Sequence, residues 1–197
     1  LMRRCYGQSH SERHIMKLYE AVTLMVGGAL VLWIGYGVFF ESSVSTPPFE
    51  SLPKISGIEI RQYRQIQVVS HGMANEDSSF RQLFQYIDGN NAANQKIPMT
   101  APVIEANGDM MFVMPSSMGK APDPINKNLE LKTISELKVA VAKFRGSASG
   151  AKQARASLIQ KLNNEGIGNT GNWFLCQYNS PFVFPLLRKN EIWVEIN

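Results

Sequence analysis

His71 is the one histidine that follows the apolar run of residues 21–40; His10 and His14 precede it. Its imidazole could ligate iron or move a proton, or it could be an edge-strand histidine satisfied by water and backbone. Any three-ligand zinc site around it would have to draw on carboxylates or Cys176, and no Cys-x-x-Cys-His run is present to attach haem covalently. Serines such as Ser78, Ser79, Ser147 and Ser180 lack a nucleophile-elbow context, and only His71 could serve them as base. Glu105 and Asp109 flank Asn107-Gly108, which makes them the solvated edge of a tight turn before it makes them a glycosidase pair. Phosphate-loop and dinucleotide fingerprints are absent. The residues therefore argue against an enzyme.

What the chain has in quantity is adaptable apolar surface. Methionines stand at 73, 99, 110, 111, 114 and 118, and Phe182, Phe184, Pro185, Leu186 and Leu187 sit within a loop. Such side chains shape themselves to flat apolar ligands, so one reading is a groove. A loop folded as a plug over the end of a barrel, or laid on a membrane surface, explains the same residues.

The elements that would position them repeat. Ile58-Glu59-Ile60-Arg61 falls on Leu129-Glu130-Leu131-Lys132 at an offset of 71 residues, and Gln65 to Val69 falls on Glu136 to Ala140. Period-two alternation makes each block a pair of strands. A helix follows each pair. In the first, Ser78 or Ser79 can cap, Phe80, Leu83, Phe84 and Ile87 form a stripe at i, i+3, i+4 and i+7, and Gly89 ends it. In the second, Ala151, Ala154, Leu158, Ile159 and Leu162 do the same between Gly150 and Gly166. Two further extended stretches close each copy: Met99 to Glu105 and Met110 to Met114, then Trp173 to Tyr178 and Glu191 to Ile196. The expected fold is α+β, a duplicated strand-strand-helix-strand-strand unit closing into a distorted antiparallel β-barrel with two helices against it.

Ahead of this unit, Ala21 to Phe40 carries no charge over twenty residues, about 30 Å of helix, enough to span a bilayer. Arg3, Arg4, Arg13 and Lys17 against Glu12 and Glu20 leave the leading flank at +2, while Glu41, Glu50, Glu59 and Lys54 leave the trailing flank at −2. The positive-inside bias predicts a single-pass signal-anchor with residues 1–20 cytoplasmic, 21–40 transmembrane, 41–54 a Pro- and Ser-rich tether, and the domain of residues 55–197 extracytoplasmic, periplasmic in a bacterium. Of 197 residues, 20 are basic and 16 acidic, and the basic ones form no dense tract with interleaved aromatics, which excludes a nucleic-acid surface. With two cysteines, no disulfide framework or structural metal is expected, and 55–197 is long enough to build a core without one.

The blocks Phe80-Arg81-Gln82-Leu83-Phe84-Gln85-Tyr86-Ile87-Asp88-Gly89-Asn90-Asn91 and Lys96-Ile97-Pro98-Met99-Thr100-Ala101-Pro102-Val103 resemble the SOUL family of haem-binding proteins. So do Ile58-Glu59-Ile60-Arg61-Gln62-Tyr63 at the opening, and Tyr178-Asn179-Ser180-Pro181-Phe182 with Arg188-Lys189-Asn190-Glu191-Ile192-Trp193-Val194 at the close. The resemblance covers nearly all of residues 55–197 and implies a duplicated, distorted barrel. It also implies a non-covalent tetrapyrrole site between the first helix and the loop before the last strand. Carried over, that site comprises Phe80, Leu83, Phe84, Gln85 and Ile87 on the helix and Phe182, Phe184 and Arg188 on the loop, with His71 an iron candidate the resemblance does not itself supply. Asp77, Gln85 and Phe184 stand where the vertebrate pattern has basic residues, so propionates would turn to Arg188, Lys189 or Arg81. The expected function is a membrane-anchored, non-catalytic binding protein for haem, another tetrapyrrole or a flat apolar ligand. It needs no resident cofactor, and no protein partner is identified. The alternatives are a protein or membrane-surface interaction module and, more remotely, a hydrolase.

Overall fold

The computed structural model describes residues 15–29, 44–180 and 183–197. In chain order the elements are helix α1 (residues 15–29), strands β1 (Glu50–Ile55), β2 (Ile58–Tyr63) and β3 (Ile66–Gly72), helix α2 (Glu76–Ile87), strands β4 (Val103–Ala106), β5 (Asp109–Val113), β6 (Leu129–Ile134) and β7 (Leu137–Arg145), helix α3 (Ala151–Asn164), and strands β8 (Asn169–Gln177) and β9 (Lys189–Ile196). Short 3-10 turns occupy Ala148–Gly150 and Pro185–Leu187.

The duplication is present and its offset of 71 holds for both leading strands: β2 begins at Ile58 and β6 at Leu129, β3 at Ile66 and β7 at Leu137. The pairing differs from expectation. All nine strands lie in one antiparallel sheet in the order β1-β2-β7-β9-β8-β4-β5-β3-β6. Within a copy the first two strands do not pair with each other; β2 lies on β7 and β6 lies on β3. Each half of the sheet thus takes one strand from the other copy, and the halves meet at β8–β4. This exchange ties the copies into one core, where a pair of simple hairpin units would share only a face. The sheet curls into a half-barrel with β1 and β6 as its edges, so the expected barrel is open.

Three buried clusters result. One fills the concave face with Tyr63, Val68, Ile104, Val139, Cys176 and Trp193. The second packs α3 through Leu158 and Leu162 onto Ile60, Leu175, Ile192 and Val194. The third packs α2 through Leu83, Tyr86 and Ile87 onto Val69, Met110 and Phe112. Asn107 and Gly108, both at positive φ (54° and 82°), form the expected tight turn between β4 and β5, a conformation open to Asn and Gly because it brings little Cβ strain.

Two N-terminal expectations change. Residues 50–55, read from the sequence as tether, are the edge strand β1, and Ser45 bridges Thr100 in parallel. The domain's structure therefore starts before residue 55. The transmembrane expectation lies partly outside the described residues: 15–29 is helical with every side chain exposed, residues 30–40 are not described, and among the described residues no helix is long and apolar enough to cross a membrane.

Candidate ligand-binding groove

Helix α2 is capped by Asn75, whose side-chain oxygen accepts from Ser78 N at 3.0 Å, so the cap is one turn earlier than the serines proposed from sequence. Glu76 and Asp77 occupy its first turn, where carboxylates suit the positive end of the helix dipole. The face turned to the sheet is Ser79, Leu83, Tyr86 and Ile87, rotated from the apolar stripe of the sequence because Tyr86 goes inward, its hydroxyl donating to Pro122 O at 2.7 Å. Burial pushes the Tyr86 phenol up to about 12. That rotation leaves Phe84 half outside, at 47% exposure. Phe80 is half-buried between the two environments, with its ring edge-on to Phe112 at 5.2 Å and nearly parallel to Phe84 at 6.3 Å.

Between this rim and the segment before β9 runs a groove of about 510 Å³. Phe80, Phe84, Val103 and Met110 supply its apolar lining; Arg81 and Arg188 bring positive charge, and Glu76 and Asp77 bring negative charge from the helix start. Gln177 and Asn179 complete it. Arg188 is steadied by a 3.0 Å bond from Nε to Val183 O. Just beyond the lining, the carboxyl of Glu105 takes a short hydrogen bond from Gln177 Nε2. Burial and then the charge of Glu76 hold its pKa above the ordinary carboxylate range, against that hydrogen bond.

The structure thus brings together Phe80, Phe84 and Arg188 of the expected site. Leu83 and Ile87 belong to the core beneath the helix instead, since the helix's inward face includes both. Gln85 is exposed and is not part of the lining; Phe184 is half-buried and likewise absent from it. Phe182 lies outside the described residues. His71 Nδ1 is 3.0 Å from the buried Ser79 Oγ, and the ring does not line the groove. Among the described residues no three His, Cys, Asp or Glu side chains converge as a metal site.

A family profile described as "SOUL heme-binding protein" matches residues 44–195. The chain belongs to the SOUL family. Human "Heme-binding protein 2" is 28% identical over 177 residues, covering 77% of this chain and 86% of that protein. Among solved structures, the SOUL domain is similar to the C-terminal domain of EcmrR, at TM-score 0.54, 14% identity and coverage of 76% of this chain and 98% of that one. It is also similar to a hydrolase from Listeria innocua, at TM-score 0.50, 11% identity and coverage of 80% and 95%. Likeness at these identities concerns the fold.

The SOUL domain also holds a polar network that sequence reasoning missed. On the concave face, Arg61 donates from Nη1 and Nη2 to the two carboxylate oxygens of Glu191, both at 2.9 Å. Tyr178 Oη (2.7 Å) and Trp193 Nε1 (2.8 Å) also donate to Glu191 Oε2, and Arg61 Nε reaches Glu59 Oε1 at 2.7 Å. Burial works against the Arg61 charge, but its bonds to Glu191, Tyr63 and Glu59 outweigh that and raise its pKa; burial drives the Tyr63, Tyr178 and Cys176 groups up as well. Arg61 sits at an alternating position opposite Ile58 and Ile60, which reads as solvent-facing until both faces of the sheet are known to be covered.

Proposed function

We propose that this SOUL protein holds haem or another flat tetrapyrrole, non-covalently and without chemistry, in the groove between α2 and the segment before β9. The observation that carries this is the lining itself: Phe80, Phe84, Val103 and Met110 present an apolar bed, and Arg81 and Arg188 stand at its margin. A volume of about 510 Å³ falls in the range of small-molecule sites. The residues present fit the group. Phe80 and Phe84 would stack on a macrocycle, while Arg81 and Arg188 would pair with its propionates. Glu76 and Asp77 would repel carboxylates, so the acidic edge of the ligand is directed away from the helix start. The human relative's name, "Heme-binding protein 2", agrees with this ligand class.

We further propose that residues 21–40 anchor the chain in a membrane, with the SOUL domain on the extracytoplasmic side. The uncharged twenty-residue run and the opposite charges of its flanks support this, as does the exposure of the described apolar side chains of α1, including Leu24 at 77% and Met25 at 73%.

The test is a titration of haem into the detergent-solubilised full chain. Saturable displacement of the Soret band at one equivalent is the expected result. A band that stays at the free-haem position through stoichiometric addition sinks the haem reading.

A further inference from the structure

The alternation that builds the concave face also decides what stands at its open end. On β7 the inward positions run Val139, Val141, Lys143 and Arg145; on β9 they run Trp193, Glu191 and Lys189. Arg145 and Lys189 are cross-strand partners, so the apolar interior gives way to a cationic mouth. This mouth is a pocket of about 580 Å³, with Tyr178 and Glu191 among its lining residues. Glu191 is already bonded to Arg61, and Lys143 is paired with Glu59 at 2.8 Å. Arg145 and Lys189 are exposed and make no ion pair with a carboxylate among the described residues.

Two further features lie on the same rim. The turn Pro185–Leu187 is held there by Gly146 N donating to Arg188 O at 3.1 Å, and it presents Leu186 at 70% exposure. Val44 and Thr46 also line the mouth, and Ala101 N donates to Ser45 O at 2.9 Å, so the chain arriving from the N-terminal side is fastened at this point. Four residue steps separate Phe40, the end of the uncharged run, from Val44. A chain spans at most about 3.5 Å per residue, which puts the mouth within about 14 Å of wherever the run ends.

We propose that this mouth is a docking face for an anionic lipid bilayer: Arg145 and Lys189 meet lipid phosphates, and Leu186 enters the interface. The inference rests on the reading of residues 21–40 as an anchor, which fixes the distance. Complementarity of charge selects the occupant, because cations near a surface of acidic lipid each gain about five-fold in binding. Glu41 is the opposing charge closest in sequence to the run's end. The haem groove adjoins this mouth, sharing Asn179 and the segment before β9 with it, but is lined by α2 rather than by β7.

The experiment uses the full chain with Cys5→Ser and Leu186→Cys, labelled with an environment-sensitive dye; Cys176 is fully buried and stays unlabelled. It is reconstituted into phosphatidylcholine vesicles with or without phosphatidylglycerol and with a trace of nitroxide lipid. The expected result is quenching in the anionic vesicles, weakened in high salt, and a docking equilibrium about twenty-fold lower in Arg145→Gln/Lys189→Gln. An unchanged melting temperature establishes that this double variant is folded. Quenching of equal size with and without phosphatidylglycerol, or insensitive to the double variant, overturns the proposal. Absence of quenching in chain that resists carbonate extraction overturns docking and leaves the anchor standing. Release by carbonate overturns the anchor, and the quenching measured before extraction then decides docking by itself.

Discussion

Arg61 and Glu191, 130 residues apart in sequence, face each other inside the curled sheet through two parallel N–H···O bonds of 2.9 Å. One comes from β2 of the first copy and the other from β9 of the second, so the pair spans the strand exchange that joins the two copies. Arg61 is 4% exposed and Glu191 7%, so each charge is compensated mainly by the other. Replacing Glu191 alone by Leu leaves a buried guanidinium without its main partner, at an expected cost of about 3–5 kcal/mol. The double variant Arg61→Met/Glu191→Leu removes both charges and should recover much of that loss. Urea unfolding of the three proteins gives the comparison; equal destabilisation by the single and double variants would mean that packing, not charge, is what the site supplies.

Neighbouring positions on α2 separate fold from site. Leu83 is fully buried under the helix and Phe84 lines the groove. Leu83→Ala should cost about 2–5 kcal/mol of stability through the lost burial and the cavity left behind. Phe84→Asp should leave stability almost unchanged, since the ring is 47% exposed, yet weaken haem binding by about 2 kcal/mol, roughly thirty-fold. Thermal melts and haem titrations on both variants check this, and a Phe84→Asp protein with parental haem affinity would move the ligand elsewhere.

Much of the fold was legible because the duplication writes the same pattern twice: the blocks Ile58 to Arg61 and Leu129 to Lys132 mark the starts of β2 and β6, each of which runs two residues further. Their partners were not legible. Alternation says which face a residue takes, not which strand lies beside it, so β2 with β7 looks the same in sequence as β2 with β3. The groove was half legible for a related reason. Phe80, Phe84 and Arg188 were found from an apolar stripe and a resemblance, and Met110 was one of six methionines read as adaptable surface, but Val103 and Gln177 reach the groove from β4 and β8, which only the sheet order brings under α2. Arg61 and Glu191 were hidden because a charged residue in an alternating strand looks solvated when only one face is known to be covered.

Two carboxylates should tilt the pH dependence of stability in opposite directions. Glu105 has a folded-state pKa above 4.5, from burial and then the nearby charge of Glu76. Its favourable contribution is complete below 4.5 and is lost as pH rises through the folded value. Glu59 is pushed up by burial, but its bonds to Lys143 and Arg61 prevail and its pKa falls below 4.5. Its contribution is present above 4.5 and is lost as pH drops through the lower folded value. Glu105→Gln should therefore gain on the parent protein as pH rises from 4.5 toward neutrality, while Glu59→Gln falls behind as pH rises to 4.5 from below and keeps a constant deficit above it. Unfolding midpoints from strongly acidic to neutral pH give both slopes, and parallel curves for parent and Glu105→Gln above pH 4.5 would remove the assignment.

His71 gives the sharpest check on where an iron would sit. Its Nδ1 is engaged with Ser79 Oγ, which lies under α2 and itself donates to Gly72 O at 3.4 Å, so the imidazole fastens the helix start to the end of β3. That is a positioning contact worth about 1 kcal/mol, not a place among the residues that line the groove. His71→Ala should lower the unfolding midpoint slightly and leave the Soret position and stoichiometry of the haem-loaded chain as they were. A spectrum that changes to that of haem lacking an axial nitrogen would put the iron at His71. The bed formed by Phe80, Phe84, Val103 and Met110 would then no longer be the haem site.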